Sequence, residues 1–157
     1  MATVMIAAGD AGLRRRLGVA ALEAGHEVCV AREGDGALDG LLGEPPDLVV
    51  VELGLPGLGG FGLLQEMRNC GLDRKTRALV VGSTGTESER EKCLALGADE
   101  YLASPVDEDD LTAAMTDLLA LSKDELRARG ERERDRAHLL SQLESAFEEP
   151  QAGAVPD

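Results

Sequence analysis

Residues 46–60 read P-D-L-V-V-V-E-L-G-L-P-G-L-G-G. Leu48 to Val51 form an unbroken apolar run with β-branched residues. That pattern marks a strand covered on both faces, as in a parallel sheet. Glu52 is the single carboxylate where the run ends. Gly54, Pro56, Gly57, Gly59 and Gly60 then crowd a segment that can only be a loop. In open α/β sheets, ligands and chemistry sit at the carboxyl ends of the central strands. Glu52 therefore stands at the expected functional edge.

On the N-terminal side, Thr3 to Ala8 is a short apolar run and reads as a first buried strand. Gly9-Asp10 ends it, with Asp10 as N-cap of a helix. Leu17, Ala20, Ala21 and Ala24 recur at helical spacing, with Arg14 to Arg16 on the wet side, and Gly25 closes the helix. His26 to Ala31 alternates as a second strand with Val28 and Val30 on one side. Gly34 to Gly43 is a short helix contributing Ala37, Leu41 and Leu42. On the C-terminal side, Phe61, Leu63, Leu64 and Met67 predict a helix ending near Cys70-Gly71. Ala78 to Val81 is a fourth strand closed by Gly82-Ser83. Thr86 to Leu96 is a helix in which Thr86-x-x-Glu89 resembles a capping box. Glu100 to Ala103 is a fifth strand stopped by Ser104-Pro105. Asp107 to Leu121 is a fifth helix with Leu111, Ala114, Met115, Leu118 and Leu119 on its apolar face. Five strand–helix alternations imply an α/β fold, a parallel sheet with helices on both faces.

Composition agrees with that class. Apolar residues make up 43% of the 157, aromatics only 2%, so the core is built from Leu, Val and Ala. A net charge of −14 argues against nucleic-acid or anionic-membrane partners. Both parts are acidic: 10 basic and 21 acidic residues up to Leu121, then 6 and 9. Cys29, Cys70 and Cys93 are odd in number and lack a C-x-x-C spacing, so they read as reduced thiols. His26 and His138 complete no metal cluster with them. With no 18-residue apolar run and no signal-like N-terminus, the chain is expected to be soluble and cytoplasmic.

The alternation, with P-D-L-V-V-V-E-L-G-L-P-G-L-G-G-F-G-L-L and L-G-A-D-E-Y-L-A-S-P-V, resembles a bacterial response-regulator receiver domain over roughly residues 1 to 121. The resemblance implies a flavodoxin-like five-stranded sheet of order 2-1-3-4-5, with a site at the carboxyl edge of strands 1, 3 and 5. It also implies phosphoryl transfer to an aspartate ending strand 3. Two acids after strand 1 hold Mg²⁺, a Thr or Ser ends strand 4, and a Lys ends strand 5. Oxygen ligands suit that hard cation, and metal and Lys offset charge on the transferring group.

Carried over residue by residue, nearly all of these are missing. The acid pair falls on Ala8 and Gly9, with Asp10 one position later. The acceptor falls on Glu52, one methylene longer than aspartate. The hydroxyl falls on Gly82, with Ser83 or Thr84 nearby, and the lysine on Ser104. Pro56, Gly60, Gly97-Ala98-Asp99, Tyr101 and Pro105 are kept, and Ser104-Pro105 is a candidate cis peptide. This is the pattern of a degenerate, or pseudo-, receiver. Glu52 reads either as a stand-in for the phosphorylated state or as a tolerated strand-end residue. Tyr101 reads either as a rotamer switch or as packing against the fourth strand.

Beyond the domain, Ser122-x-x-Glu125 fits a capping box, so a new helix starts there. Residues 122–148 form a helical extension rich in Glu and Arg, and 149–157 read as a disordered end. Gly130 weakens its middle by about 1 kcal/mol relative to Ala. Leu140, Leu143 and Phe147 line one stripe, with Ala137 and Leu139 nearby. The helix either folds back on its domain or forms a short coiled coil or docking helix. It offers about two heptads where three or four are wanted.

No output module is legible, so function is expected to pass through protein contacts. The expected protein is no enzyme and needs no cofactor or metal. It acts by binding a signalling or regulatory partner, and neither nucleic acid nor membrane. The expected surface is the face of the fourth helix, fifth strand and fifth helix: Lys92, Leu96, Tyr101, Leu111 and Met115, helped by Leu140, Leu143 and Phe147. A homodimer through the fifth or the C-terminal helix stays open. Two rivals remain. One is an altered phosphoacceptor using Asp10 and Ser83 or Ser104. The other is a small-molecule sensor in the crevice that Ala8, Gly9 and Gly82 would empty.

Overall fold

The computed structural model describes residues 2–154, with side chains described as far as Phe147. The elements run β1 (Thr3–Ala7), α1 (Ala11–Glu23), β2 (Glu27–Ala31), α2 (Gly34–Gly43), β3 (Leu48–Glu52) and α3 (Gly59–Asn69). After a 3₁₀ turn at Leu72–Arg74 come β4 (Arg77–Val81), α4 (Glu87–Ala95), β5 (Glu100–Leu102), α5 (Glu108–Ala120) and α6 (Lys123–Ala154). The five strands are parallel in the order β2-β1-β3-β4-β5. That is the flavodoxin-like order the resemblance implied.

β3 sits at the centre, and its alternation feeds two cores. Val49 and Val51 face the layer holding Ala37, Leu41, Leu63, Met67 and Cys93 of α2, α3 and α4. Leu48 and Val50 face Leu17, Ala21, Leu111, Met115 and Leu118 of α1 and α5. Each Val, Leu or Met among them taken fully out of water contributes about 1.5–3 kcal/mol. Burial on both faces is why the run is apolar without a break. β2 is the sheet edge, and there Val30 is 56% exposed, so only Val28 of the expected pair packs inward. β4 starts one residue earlier than its apolar run because Arg77 pairs with Leu48. The Arg77 guanidinium then reaches the carbonyls of Leu118 and Leu121, each at 2.7 Å, and fastens the end of α5.

The caps explain where helices begin. Asp10 accepts the Leu13 N–H at 2.8 Å, Thr86 that of Glu89 at 3.2 Å, and Ser122 that of Glu125 at 3.1 Å. The Ser104–Pro105 peptide is cis. Among the described side chains, those that anchor α6 lie near its start. Lys123 pairs with the largely buried Asp99 at 2.8 Å, Leu126 is buried, and Arg129 meets Asp117 at 3.1 Å. The helix runs past the expected boundary at 148 to Ala154, so 149–154 are helical backbone rather than a disordered end. Pro150 lacks a backbone N–H but does not stop it. The rest of that expected end, 155–157, lies outside the described residues.

Cys93 is fully buried, and burial first, then the nearby Glu89 charge, pushes its thiol up to about 11. Cys29 and Cys70 are exposed. A thiol reagent at pH 8 should therefore label two cysteines quickly and the third only on unfolding. Rapid labelling of all three would show that α4 does not stay packed.

Candidate functional site at the carboxyl edge of the sheet

Glu52 ends β3, paired with Val81 of β4. Its Oε2 accepts the N–H of Gly9 at 2.7 Å and that of Asp10 at 3.2 Å. These groups lie at the entrance to α1, where free N–H groups and the helix dipole favour an anion. The extra methylene of glutamate spans the gap from β3 to the β1–α1 loop. From the other side, Arg14 Nη1 donates to the carbonyls of Ala8 at 3.0 Å and Gly9 at 3.3 Å. One loop is thus held by a carboxylate from β3 and a guanidinium from α1. The sequence had placed Arg14 only on the wet face of its helix; its position one turn after Asp10 was the available signal.

A divalent ion of the kind the resemblance implies needs several free oxygen ligands. Here Glu52 Oε2 is turned onto backbone N–H groups, and Asp10 Oδ1 caps α1. Ala8 and Gly9 offer only carbonyls, both already taken by Arg14. Among the described residues no three His, Cys, Asp or Glu side chains cluster as a metal site. The residues at this edge do not fit the ion.

The small residues do not leave a crevice. A Cβ on Gly9 would lie 2.4 Å from Pro56 Cδ, and one on Gly82 would lie 2.0 Å from the Tyr101 hydroxyl oxygen. The Pro56 ring and the Tyr101 ring occupy the space that larger side chains would need. The expected emptied crevice at Ala8, Gly9 and Gly82 is corrected accordingly, since the neighbours have closed over it.

Tyr101 is 8% exposed, turned inward over Gly82, and its hydroxyl donates to Glu89 Oε2 at 3.1 Å. That carboxylate also gathers the β4–α4 loop. It accepts the N–H groups of Ser83 at 2.9 Å, Thr84 at 2.7 Å and Gly85 at 3.2 Å, together with the Thr84 hydroxyl. Desolvation works to raise the Glu89 pKa, but the bonds from Thr84, Ser83 and Tyr101 outweigh it and hold the carboxyl at about 2. Burial, then the bond to Glu89, raises the Tyr101 phenol. The sequence showed Glu89 only as the far half of a capping box. Thr86 does cap, but Glu89 turns to the loop instead of reaching back to it. The hydroxyl of Thr84 and the backbone of Ser83 are therefore committed to Glu89.

Comparison with known proteins is consistent with this architecture. Residues 4–116 match the response regulator receiver domain family. The chain belongs to that family. The receiver is 31% identical over 119 residues to the two-component response regulator PhoP of Pseudomonas aeruginosa, covering 76% of this chain and 52% of that protein. It is 30% identical over 116 residues to the transcriptional regulatory protein KdpE of Mycobacterium tuberculosis, covering 73% and 50%. The chain thus spans about half the length of these curated relatives. Among solved structures, a putative response regulator from Chloroflexus aurantiacus superposes with a TM-score of 0.72 at 28% identity, covering 76% of this chain and 98% of that one. The receiver domain of a Francisella response regulator gives the same TM-score and coverage at 23% identity, which speaks for the fold.

The expected contact surface of the receiver is only partly on the outside. Leu111 and Met115 are 1% and 0% exposed in the core between α5 and the sheet. An amphipathic helix has one apolar stripe, and the sheet claims it, so these two are corrected from surface to core. Neither side chain is therefore available to a homodimer through α5. Leu96 is half-buried against the core. Lys92 is exposed, with its ammonium 4.1 Å from the centroid of the Phe61 ring. Ser104 is exposed at the end of β5. Leu140, Leu143 and Phe147 are exposed along α6, which settles that this stretch does not fold back on its own domain.

Proposed function

We propose that this protein is a phosphorylation-independent receiver, a non-enzymatic and cytoplasmic signalling component that works by contacting another protein. The observation that carries this reading is the Glu52 carboxylate, whose Oε2 is turned onto the N–H groups of Gly9 and Asp10 where a receiver would seat its metal. Without that metal, several kcal/mol of charge stabilisation for phosphoryl transfer is missing. Ser104, where the resemblance places a lysine, supplies no cation. Support for a fixed contact face comes from Tyr101, held inward by a residue of the same chain. Lys92 and Leu96 on that face, with the exposed stripe of α6, are the proposed contacts.

The test is incubation with acetyl phosphate and Mg²⁺, read by intact mass. The protein should stay unmodified, and so should a Glu52→Asp variant, because restoring the acceptor does not restore its metal ligands. Stoichiometric, hydroxylamine-labile label on the parent chain would overturn the reading and promote the altered-phosphoacceptor alternative.

A further inference from the structure

Beyond Gly130 the long helix stands clear of its domain. Every residue from Glu131 to Phe147 is exposed, and Leu139, Leu140, Leu143 and Phe147 are 50–75% exposed. Between α6 and α4 lies a groove of about 860 Å³. Leu94 and Ala95 line it from α4. From α6 the lining includes Leu126, Gly130, Glu133 with Arg134, Ala137 and Leu140, flanked by further charged side chains of the same helix. Phe147 continues that stripe. An apolar stripe and an open groove therefore share one face of the same helix.

We propose that a second copy of this chain covers this face, the two α6 helices lying antiparallel and centred between Glu133 and Arg134. The charges choose the orientation. Residues 131–136 read E-R-E-R-D-R, and reversed they carry the opposite sign at every position. Antiparallel copies so set unlike charges opposite one another, whereas a parallel pair in register sets like against like. On the stripe itself, Glu133 meets Arg134 of the second copy twice by symmetry. Gly130 then faces Ala137, and both are small enough for close approach. Leu140 falls at Arg127, beside the buried Leu126 and the groove, and Phe147 falls at Ala120, where the other copy's α5 ends. The overlapping strip, residues 123–144 of each copy, is about 33 Å long and 10–12 Å wide. Over two copies that is about 700 Å² in projection, and more once side chains interdigitate and Phe147 reaches the end of α5, against about 1,000 Å² for a specific interface. The pairing does not depend on whether Glu52 accepts a phosphoryl group.

Sedimentation of the full chain from low micromolar to submillimolar concentration should show a monomer–dimer equilibrium. Leu140→Glu, at an exposed site, should weaken it by about tenfold or more. Glu133→Arg and Arg134→Glu should each weaken it, and an equimolar mixture of the two should associate again. Orientation is read by disulfides in a Cys29→Ser/Cys70→Ser background. Gly130→Cys mixed with Ala137→Cys should cross-link, and neither alone should. A monomer at every concentration, self-cross-linking of either single variant, or an unchanged equilibrium in Leu140→Glu with native circular dichroism would each overturn the pairing.

Discussion

Gly82→Thr, which returns a hydroxyl to the end of β4, should destabilise the protein and turn Tyr101 outward. The new Cβ would sit 2.0–2.5 Å from three atoms of the phenol, closer than real contacts allow. Gly82 is itself buried and hydrogen-bonded in the sheet edge, its N–H donating to Leu102 at 2.8 Å, so the backbone cannot easily yield. The ring must leave, or the strand must shift. Overpacking of this kind costs about 1–3 kcal/mol and sometimes more, which lowers the unfolding midpoint by several degrees. The readout is clean because the chain has one tyrosine and no tryptophan. Thermal melting gives the loss, and tyrosine emission gives the rotamer. A variant as stable as the parent, with an unmoved ring, would refute the view that the aromatic has taken the place of the missing side chain.

Glu89→Ala should have the second large effect. It strips the partner from three loop N–H groups, the Thr84 hydroxyl and the Tyr101 hydroxyl. Hydrogen bonds to a charged group contribute about 1.5–3 kcal/mol. The low end is expected here, because water can reach the loop and replace part of what is lost. Faster amide exchange at Ser83, Thr84 and Gly85 would report the loosened loop, and wild-type exchange rates there would count against the clasp. The same carboxylate gives a pH signature. Its folded pKa of about 2 lies below the ordinary glutamate value of 4.5. A depressed acid contributes stability that is fully present above its unfolded pKa and fades as pH falls through the folded one. Loss attributable to Glu89 should thus appear between about pH 4.5 and 2, and Glu89→Gln should abolish that part of the pH dependence.

How much of this was readable from residues alone divides along a physical line. Strands and helices were legible because their signals are local. Leu48 to Val51 could only be a doubly covered strand, and Asp10, Thr86 and Ser122 cap within three residues of themselves. Glu52 could be placed at the functional edge for the same reason. Its partner could not, since Gly9 lies 43 residues away and the bond depends on how far a glutamate reaches across two strands. The fate of the small residues was equally hidden. Gly82 looks like a gap in sequence, and only the approach of Tyr101 shows that it makes room. Leu111 and Met115 illustrate the opposite error. An apolar stripe announces that it is covered, but not by what, and on α5 the cover is the protein's own sheet.

The bond between Glu52 and Gly9 carries one more implication. A receiver fastened by an ion and a phosphate can be unfastened by a chelator or a phosphatase, because those parts come from solution and return to it. Here the fastening belongs to the polypeptide, so on the reading proposed above neither magnesium supply nor a kinase would have a hold on it. On that reading the adjustable quantity is the number of copies in the cell, which also sets how far the chain pairs with itself. A chain of this construction would have its output set by how fast it is made and degraded.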